Sequence, residues 1–395
     1  MQKSITAIIL CIIGAISICA CSQKTEEFKV IEIGNAYENR EPVMASDYFS
    51  AIDYVPLETS EESLLNGTNA LTILPAEDRV IILNRMERKA DATIESFDLS
   101  GNLLEFKAEY GRSEEEFTNV RHIILKDDEL FVFQATRISI YDLDGNYKES
   151  IHFQEGINPI QPPFMIDKRT FGILGNDIEN KKFCIDLIDT TGKRIYGKPF
   201  ASHSEEAGKE RFIERNGMKI PLPTFPAAHF YTNNEKVFFA QKLNDTLYTI
   251  DTKDLQKRAS YIFDYGKYID HKSPKRNLFI METKHFLQCR VLFKKDLFNT
   301  EPGYISPTFI YDEASGKTRM IPHNKEFDRS GFVNDVNDDA LLFMPEVCSG
   351  DKMYQLFDAV DFIEFAQRSN SAKIKEVAAG ITEESNPVLV IGTLK

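Results

Sequence analysis

The chain has 395 residues, a formal charge of −14 and a hydrophobic fraction of 42%. That apolar content supports a sizeable core and excludes global disorder. The acidic balance, with no basic cluster, excludes nucleic acid as a natural partner, because such binding depends on Lys and Arg neutralising phosphates. Trp is absent while Phe (29) and Tyr (15) are plentiful, which weakens a sugar-binding reading, although Tyr and Phe can also stack on sugar rings.

Met1-Gln2-Lys3 is a short basic start, and an almost unbroken apolar stretch follows over 5–20. A positive start, an apolar middle and small residues before a cut describe a secretory signal over residues 1–20. The stretch is short for a membrane span, which needs about 20 residues. Ile18-Cys19-Ala20-Cys21 resembles the lipobox of bacterial lipoproteins, with Ala20 in the small position ahead of Cys21. Cys19 fits badly, since Ile18 would fill that position. The resemblance implies cleavage before Cys21, a diacylglycerol on its thiol and an acylated amine. Several acyl chains anchor firmly where one is marginal. Residues 21–29 are then a polar tether. Its Glu26 and Glu27 are a weak match to the acidic surface-export signal of Bacteroidetes.

With Cys21 lipidated, Cys184, Cys289 and Cys348 remain. Three thiols allow at most one internal disulfide. All three sit in apolar, strand-like runs, where a buried thiol is expected.

Residues 30–33 read as a first strand and 51–58 as a second, broken by Pro56. Runs at 70–74 and 79–84 follow across a Pro-Ala-Glu-Asp turn. Hairpins then recur, each with an acidic turn and four of them ending near glycine: Asp98 with Gly101, Asp142 with Gly145, Asp189 with Gly192 and Asp312 with Gly316, while Asp251 has a longer turn. The clearest copy spans 131–151. Its branched and aromatic residues favour extended backbone, and Gly145 can supply the positive φ of a tight hairpin. Successive turn aspartates lie 44, 47, 62 and 61 residues apart, the spacing of one four-stranded sheet per repeat with later insertions. Runs such as Val237-Phe238-Phe239-Ala240 suit central strands buried on both faces, as in radially packed sheets. Five turns are visible. Val388–Leu394 is expected to pair beside N-terminal strands, complete a sixth sheet and remove an exposed edge. Helices are expected at 353–366 and 373–381, with a weaker one at 276–284.

Tyr54-Val55-Pro56-Leu57-Glu58-Thr59, Tyr110-Gly111-Arg112 with Glu116-Phe117, the run 243–248, and Asn386-Pro387-Val388-Leu389 together resemble the six-bladed β-propeller lipoproteins of Bacteroidetes, similar in architecture to NHL-type propellers. The resemblance implies an all-β, six-bladed propeller over 30–395 and a cell-envelope location. It implies no settled activity. Relatives often carry a glycine-rich loop between the Gly-Arg and the Glu-Phe, and Ser113-Glu114-Glu115 stands there instead.

No catalytic motif is present: no Gly-x-Ser-x-Gly elbow, no phosphate-binding glycine loop and no His-Glu-x-x-His. Asp142-x-Asp144-x-Asn146 alternates oxygen ligands, but glycine is fourth rather than sixth, so the pattern reads as a hairpin turn and not a calcium loop. The oxygen-rich run 334–339 likewise reads as a solvated turn. His122, His229 and His285 lie on or beside expected inner strands without metal spacing. No cofactor is expected, and calcium in the central channel is left open. Arg112, Glu116, Arg121 and His122 form the most functional-looking group, at the entry to a blade, where an Arg fork can grip a carboxylate or phosphate. The alternative is an inter-blade salt-bridge cluster.

The expected protein is a lipid-anchored envelope propeller, held to the outer membrane on its periplasmic or surface face, that binds an unidentified ligand or envelope protein. A metal-dependent hydrolase or lyase, and a glycan- or peptide-binding accessory of an uptake system, are the competing readings.

Overall fold

The computed structural model describes residues 28–85, 92–155, 157, 163–167, 169–177, 182–200, 211–215, 218–222, 228–233, 236–241, 245–251, 256–268, 276–294, 304–325, 329–337 and 340–395. The expected signal, Cys21 and the tether up to residue 27, with Glu26 and Glu27, lie outside the described residues.

The described strands form six sheets of four or five strands around a common axis, a six-bladed β-propeller. From the axis outward, blade 1 holds Leu71–Pro75, Arg79–Arg85, Ala92–Asp98 and Leu103–Leu104. Blade 2 holds His122–Lys126, Glu129–Phe133, Arg137–Asp142 and Tyr147–His152. Blades 3 and 4 begin at Phe164–Asp167 and Ala228–Asn233, and blade 5 at Arg276–Glu282. Innermost strands of neighbouring blades lie against one another, which builds the ring.

Blade 2 shows why runs of consecutive apolar residues occur. Leu130 and Val132 pack with Ile81 and Leu83 of blade 1. The alternate residues Phe131 and Phe133 pack with Met165 and Phe171 of blade 3. Side chains alternate across a strand, so both sets are buried because both faces of the sheet are covered. Each such side chain contributes roughly 1.5–3 kcal/mol of burial.

The acidic turns share one construction. Asp142 accepts hydrogen bonds from the backbone N–H of Asp144 (3.0 Å) and Asn146 (2.8 Å), and from the Asn146 amide. Asp98, Asp189 and Asp312 hold their turns in the same manner. Gly145 has φ of 76°, and a Cβ there would meet the Lys107 nitrogen at 2.7 Å. Glycine is therefore required by conformation and by contact.

Blade 6 closes the ring with strands from both ends of the chain. Val388–Leu394 pairs antiparallel with Phe49–Pro56 on one side and Lys352–Phe357 on the other, as the sequence leads one to expect. Pro56 ends its strand, where its missing N–H costs nothing.

Three expectations are corrected. Residues Lys29–Ile31, not 30–33, form the first strand, and it adds in parallel to the outer strand Lys257–Phe263 of blade 4; Ile33 already starts helix α1, Ile33–Glu38. Residues 353–357 belong to the strand Lys352–Phe357, and only Ala359–Arg368 is helical (α2). Cross-strand pairing on both sides overrides the mixed helical spacing there. The second late helix, α3, spans Ala372–Ala379. The segment at 276–284 is a strand, Arg276–Glu282, paired with Phe286–Lys294, again because a partner strand outweighs weak local propensity.

The oxygen-rich run at 334 is more than a solvated turn. Phe332–Asn334 and Ala340–Phe343 form a hairpin wedged between blades 5 and 6, with Phe332 and Phe343 in the core. Asn334 is buried and donates to the Tyr54 hydroxyl at 2.7 Å, while Asn337 donates to the Ile52 carbonyl at 2.7 Å. Asp338 and Asp339 lie outside the described residues. Cys289 and Cys348 are free thiols, Cys289 buried and Cys348 half-buried; burial pushes the Cys348 thiol up to about 11. The Cys184 side chain lies outside the described residues.

Candidate functional site

Strand direction sorts the connections onto two faces. One face carries short turns: 127–128, 350–351 and the aspartate turns at 98, 142, 189 and 312. The opposite face carries the long connections at 57–70, 105–121 and 321–346, together with α2 and α3 between the second and third strands of blade 6. These are called the turn face and the loop face. Loops on a rigid scaffold are where binding residues concentrate.

Arg137 organises the loop at 110–117. Its guanidinium donates to the Ser113 carbonyl (2.7 Å), to the Glu116 carbonyl (2.8 Å) and to the Glu114 carboxylate (2.8 Å). His152 meets the other Glu114 oxygen at 2.7 Å, and this contact, with Arg137, holds Glu114 below the usual carboxylate range. Glu116 turns back to accept the Ser113 N–H at 2.7 Å, which lowers its own pKa. Ser113-Glu114-Glu115, in place of glycines, thus gives a loop clamped by a buried arginine from the next blade. Arg112 is exposed on this loop.

Arg121 and His122 belong to a second group. The Arg121 N–H donates to the Phe133 carbonyl at 2.8 Å, and His122 begins the innermost strand of blade 2 opposite Phe133. Arg85, at the end of the second strand of blade 1, donates to the Thr72 hydroxyl at 2.8 Å and to the Arg121 carbonyl at 3.5 Å. Burial pushes the Arg85 pKa down. Burial, aided by the Arg85 charge, pushes His122 down to about 4, so His122 is neutral at pH 7. Of the four expected residues, the structure brings Arg121 and His122 together with Arg85 near the axis, and puts Arg112 and Glu116 in the Arg137-clamped loop.

Sequence reasoning missed Arg85, Arg137 and Glu114. Arg85 ends the run Val80-Ile81-Ile82-Leu83-Asn84, where a charge ordinarily signals a solvated strand end. Arg137 follows Thr136 at the start of a strand and carries no motif. His285 sits in a turn-face hairpin against the Lys395 carbonyl at 2.8 Å; the His229 side chain lies outside the described residues.

A cleft of about 370 Å³ opens farther from the axis, between the outer strands of blade 1 and the loop leading to blade 2. Glu62, Glu95, Glu105 and Glu109 line it with Phe106 and Tyr110. Burial holds the Glu95 carboxyl above its usual range. Among the described residues, no three His, Cys, Asp or Glu side chains converge to hold a metal ion. No helix among them is long and apolar enough to cross a membrane.

Residues 28–393 match the model of the family described as a domain of unknown function, DUF4934. The chain belongs to the DUF4934 family. The propeller of this DUF4934 member superposes on the crystal structure of a Bacteroides fragilis NCTC 9343 protein named as a candidate exported protein. The TM-score is 0.61 at 14% identity, covering 93% of this chain and 100% of that one. The Neurospora crassa Pan2 WD40 domain aligns at a TM-score of 0.35 and 10% identity, covering 71% of this chain and 74% of that one. Curated proteins return no match. At such identities the likeness concerns the fold.

Proposed function

We propose that this DUF4934 protein is a lipid-anchored binding module of the cell envelope that meets its ligand or partner protein with the loop face. One observation carries the reading: the long connections and both late helices gather on the loop face, whereas the described chain enters on the other side. Lys29 pairs with Glu313 in a turn-face hairpin, and its strand runs in the same direction as Lys257–Phe263.

Cys21 precedes Lys29 by eight residues, and eight extended residues span at most about 28 Å. An anchor at Cys21 therefore keeps the turn face toward the bilayer and turns the loop face outward. The likeness to a Bacteroides protein named as a candidate exported protein fits an envelope location. A binding accessory of an uptake system is one form of the same reading.

The test uses fluorophores at two exposed positions, Ser100 on the turn face and Glu376 in α3 on the loop face, in the full lipidated protein on vesicles carrying a headgroup quencher. Ser100 should be quenched and Glu376 spared, and binding of an envelope component should perturb Glu376 alone. Equal quenching, or the reverse order, overturns the reading.

A further inference from the structure

We infer that Arg85, oriented by Thr72 and the Arg121 carbonyl at the axial mouth between blades 1 and 2, is the receiving group of a subsite for an oxyanion, a carboxylate or phosphate carried by a small ligand. The inference deepens the binding reading and rests on its loop-face assignment.

The argument starts from the treatment of other arginines. Arg79, Arg137 and Arg319 are nearly buried, and each ends on a carboxylate: Asp78 and Asp144, Glu114, and Asp47 respectively. A cation drawn out of water is ordinarily paired in this way. Arg85 is half-buried in a chain of net charge −14, yet among the described residues it meets only a hydroxyl and a carbonyl. Neither neutralises it. A guanidinium has five N–H donors in a planar fork. Thr72 and Arg121 engage two of them and fix the plane, and the remaining donors are available for bidentate contact with an oxyanion.

The surroundings suit an anion. His122, the neighbouring titratable side chain, is neutral rather than acidic. Of the glutamates lining the acidic cleft, Glu95 sits on the third strand of blade 1, Glu105 and Glu109 on the connection to blade 2, and Glu62 on the connection into blade 1.

His122 provides a readout that a purely structural Arg85 would not move. The Arg85 charge opposes protonation of His122. An oxyanion bound at Arg85 cancels part of that opposition, so the imidazole pKa rises on binding.

The experiment titrates the purified full chain in detergent with inorganic phosphate and, separately, with succinate. It follows the His122 ring resonance and the binding heat. At least one anion should bind and raise the His122 pKa, and Arg85→Gln should weaken binding by about 10-fold or more, the scale of a lost charge-assisted bond. Arg85→Lys, which keeps charge and loses the fork, should be intermediate and serves as the test if Arg85→Gln fails to fold. Response to succinate alone assigns a carboxylate ligand, and response to phosphate alone a phosphorylated one. Silence toward both anions, or binding unchanged in the Arg85 variants, overturns the subsite. The vesicle-quenching result stands apart from either outcome, so the two readings fail separately.

Discussion

The guanidinium of Arg137 meets the carboxylate of Glu114 at 2.8 Å, and the same side chain holds two main-chain oxygens of the loop that Glu114 occupies. A residue from a strand of blade 2 thereby fixes the shape of the connection leading into that blade.

Replacing Arg137 with Met should free this loop. Three charge-assisted contacts vanish, two of them to carbonyls, and the expected loss is about 2–4 kcal/mol. Arg112→Ala, one loop residue away and exposed, should change stability by less than about 0.5 kcal/mol. Denaturant midpoints at unchanged slope separate the two; equal losses would remove Arg137 from its clamping role.

The turn aspartates predict acid behaviour. Burial opposes ionisation of Asp142, but hydrogen bonds from Asn146 and Asp144 outweigh it and hold the carboxyl below its usual range. Asp98 is lowered chiefly by Asn102, and Asp189 chiefly by Thr191. A carboxyl whose folded pKa lies below its unfolded value stabilises the fold above that unfolded value, and the contribution is lost as pH falls through the folded one. Asp142→Asn should therefore be less stable than the parent at neutral pH and flatten the decline below about pH 4. Parallel curves for parent and variant would refute the linkage.

His122 acts in a higher window. Its folded value of about 4 lies below that of a free imidazole, near 6.5, so the unfolded chain takes up the proton first. Stability should fall as pH drops from about 6.5 to 4 and then level off, by roughly 3 kcal/mol in all. His122→Gln should abolish this component. Chemical denaturation at pH 7 and pH 4.5 measures it.

Ring closure makes the last strand indispensable. A chain ending before Val388 loses the strand between Phe49–Pro56 and Lys352–Phe357, and with it Val388, Leu389 and Val390 from two core clusters. It should show no cooperative thermal transition. A sharp transition near that of the full chain would show that blade 6 is dispensable.

Cys21→Ala should release the protein from the membrane fraction into the soluble one, because lipidation needs the thiol. Retention in membranes after this change would defeat the anchor.

Much of the architecture was legible because turn chemistry is local. Asp98, Asp142 and Asp189 each carry their own acceptors and glycine, so spacing alone counts blades. The closing strand was legible because Val388–Leu394 is intensely apolar. The partner of Lys29–Ile31 was not, since a parallel neighbour more than two hundred residues away leaves no trace in three residues. Arg276–Glu282 misled for a related reason: its strand state comes from Phe286–Lys294 rather than from its own composition. At the candidate site, His122 and Arg121 stood out by residue type. Arg85 did not, because what distinguishes it is a missing counter-charge, and sequence does not display what a side chain lacks.

The parallel strand Lys29–Ile31 has a mechanical meaning. A pull on the chain ahead of Lys29 acts along the strand, so the hydrogen bonds to Tyr261–Phe263 are loaded together in shear instead of being peeled one by one. The Lys29 ammonium, paired with Glu313 and 5.5 Å from the Tyr261 ring centroid, adds a catch at the point where the force enters. A short segment of three residues can in this way transmit tension into the whole ring without opening blade 4.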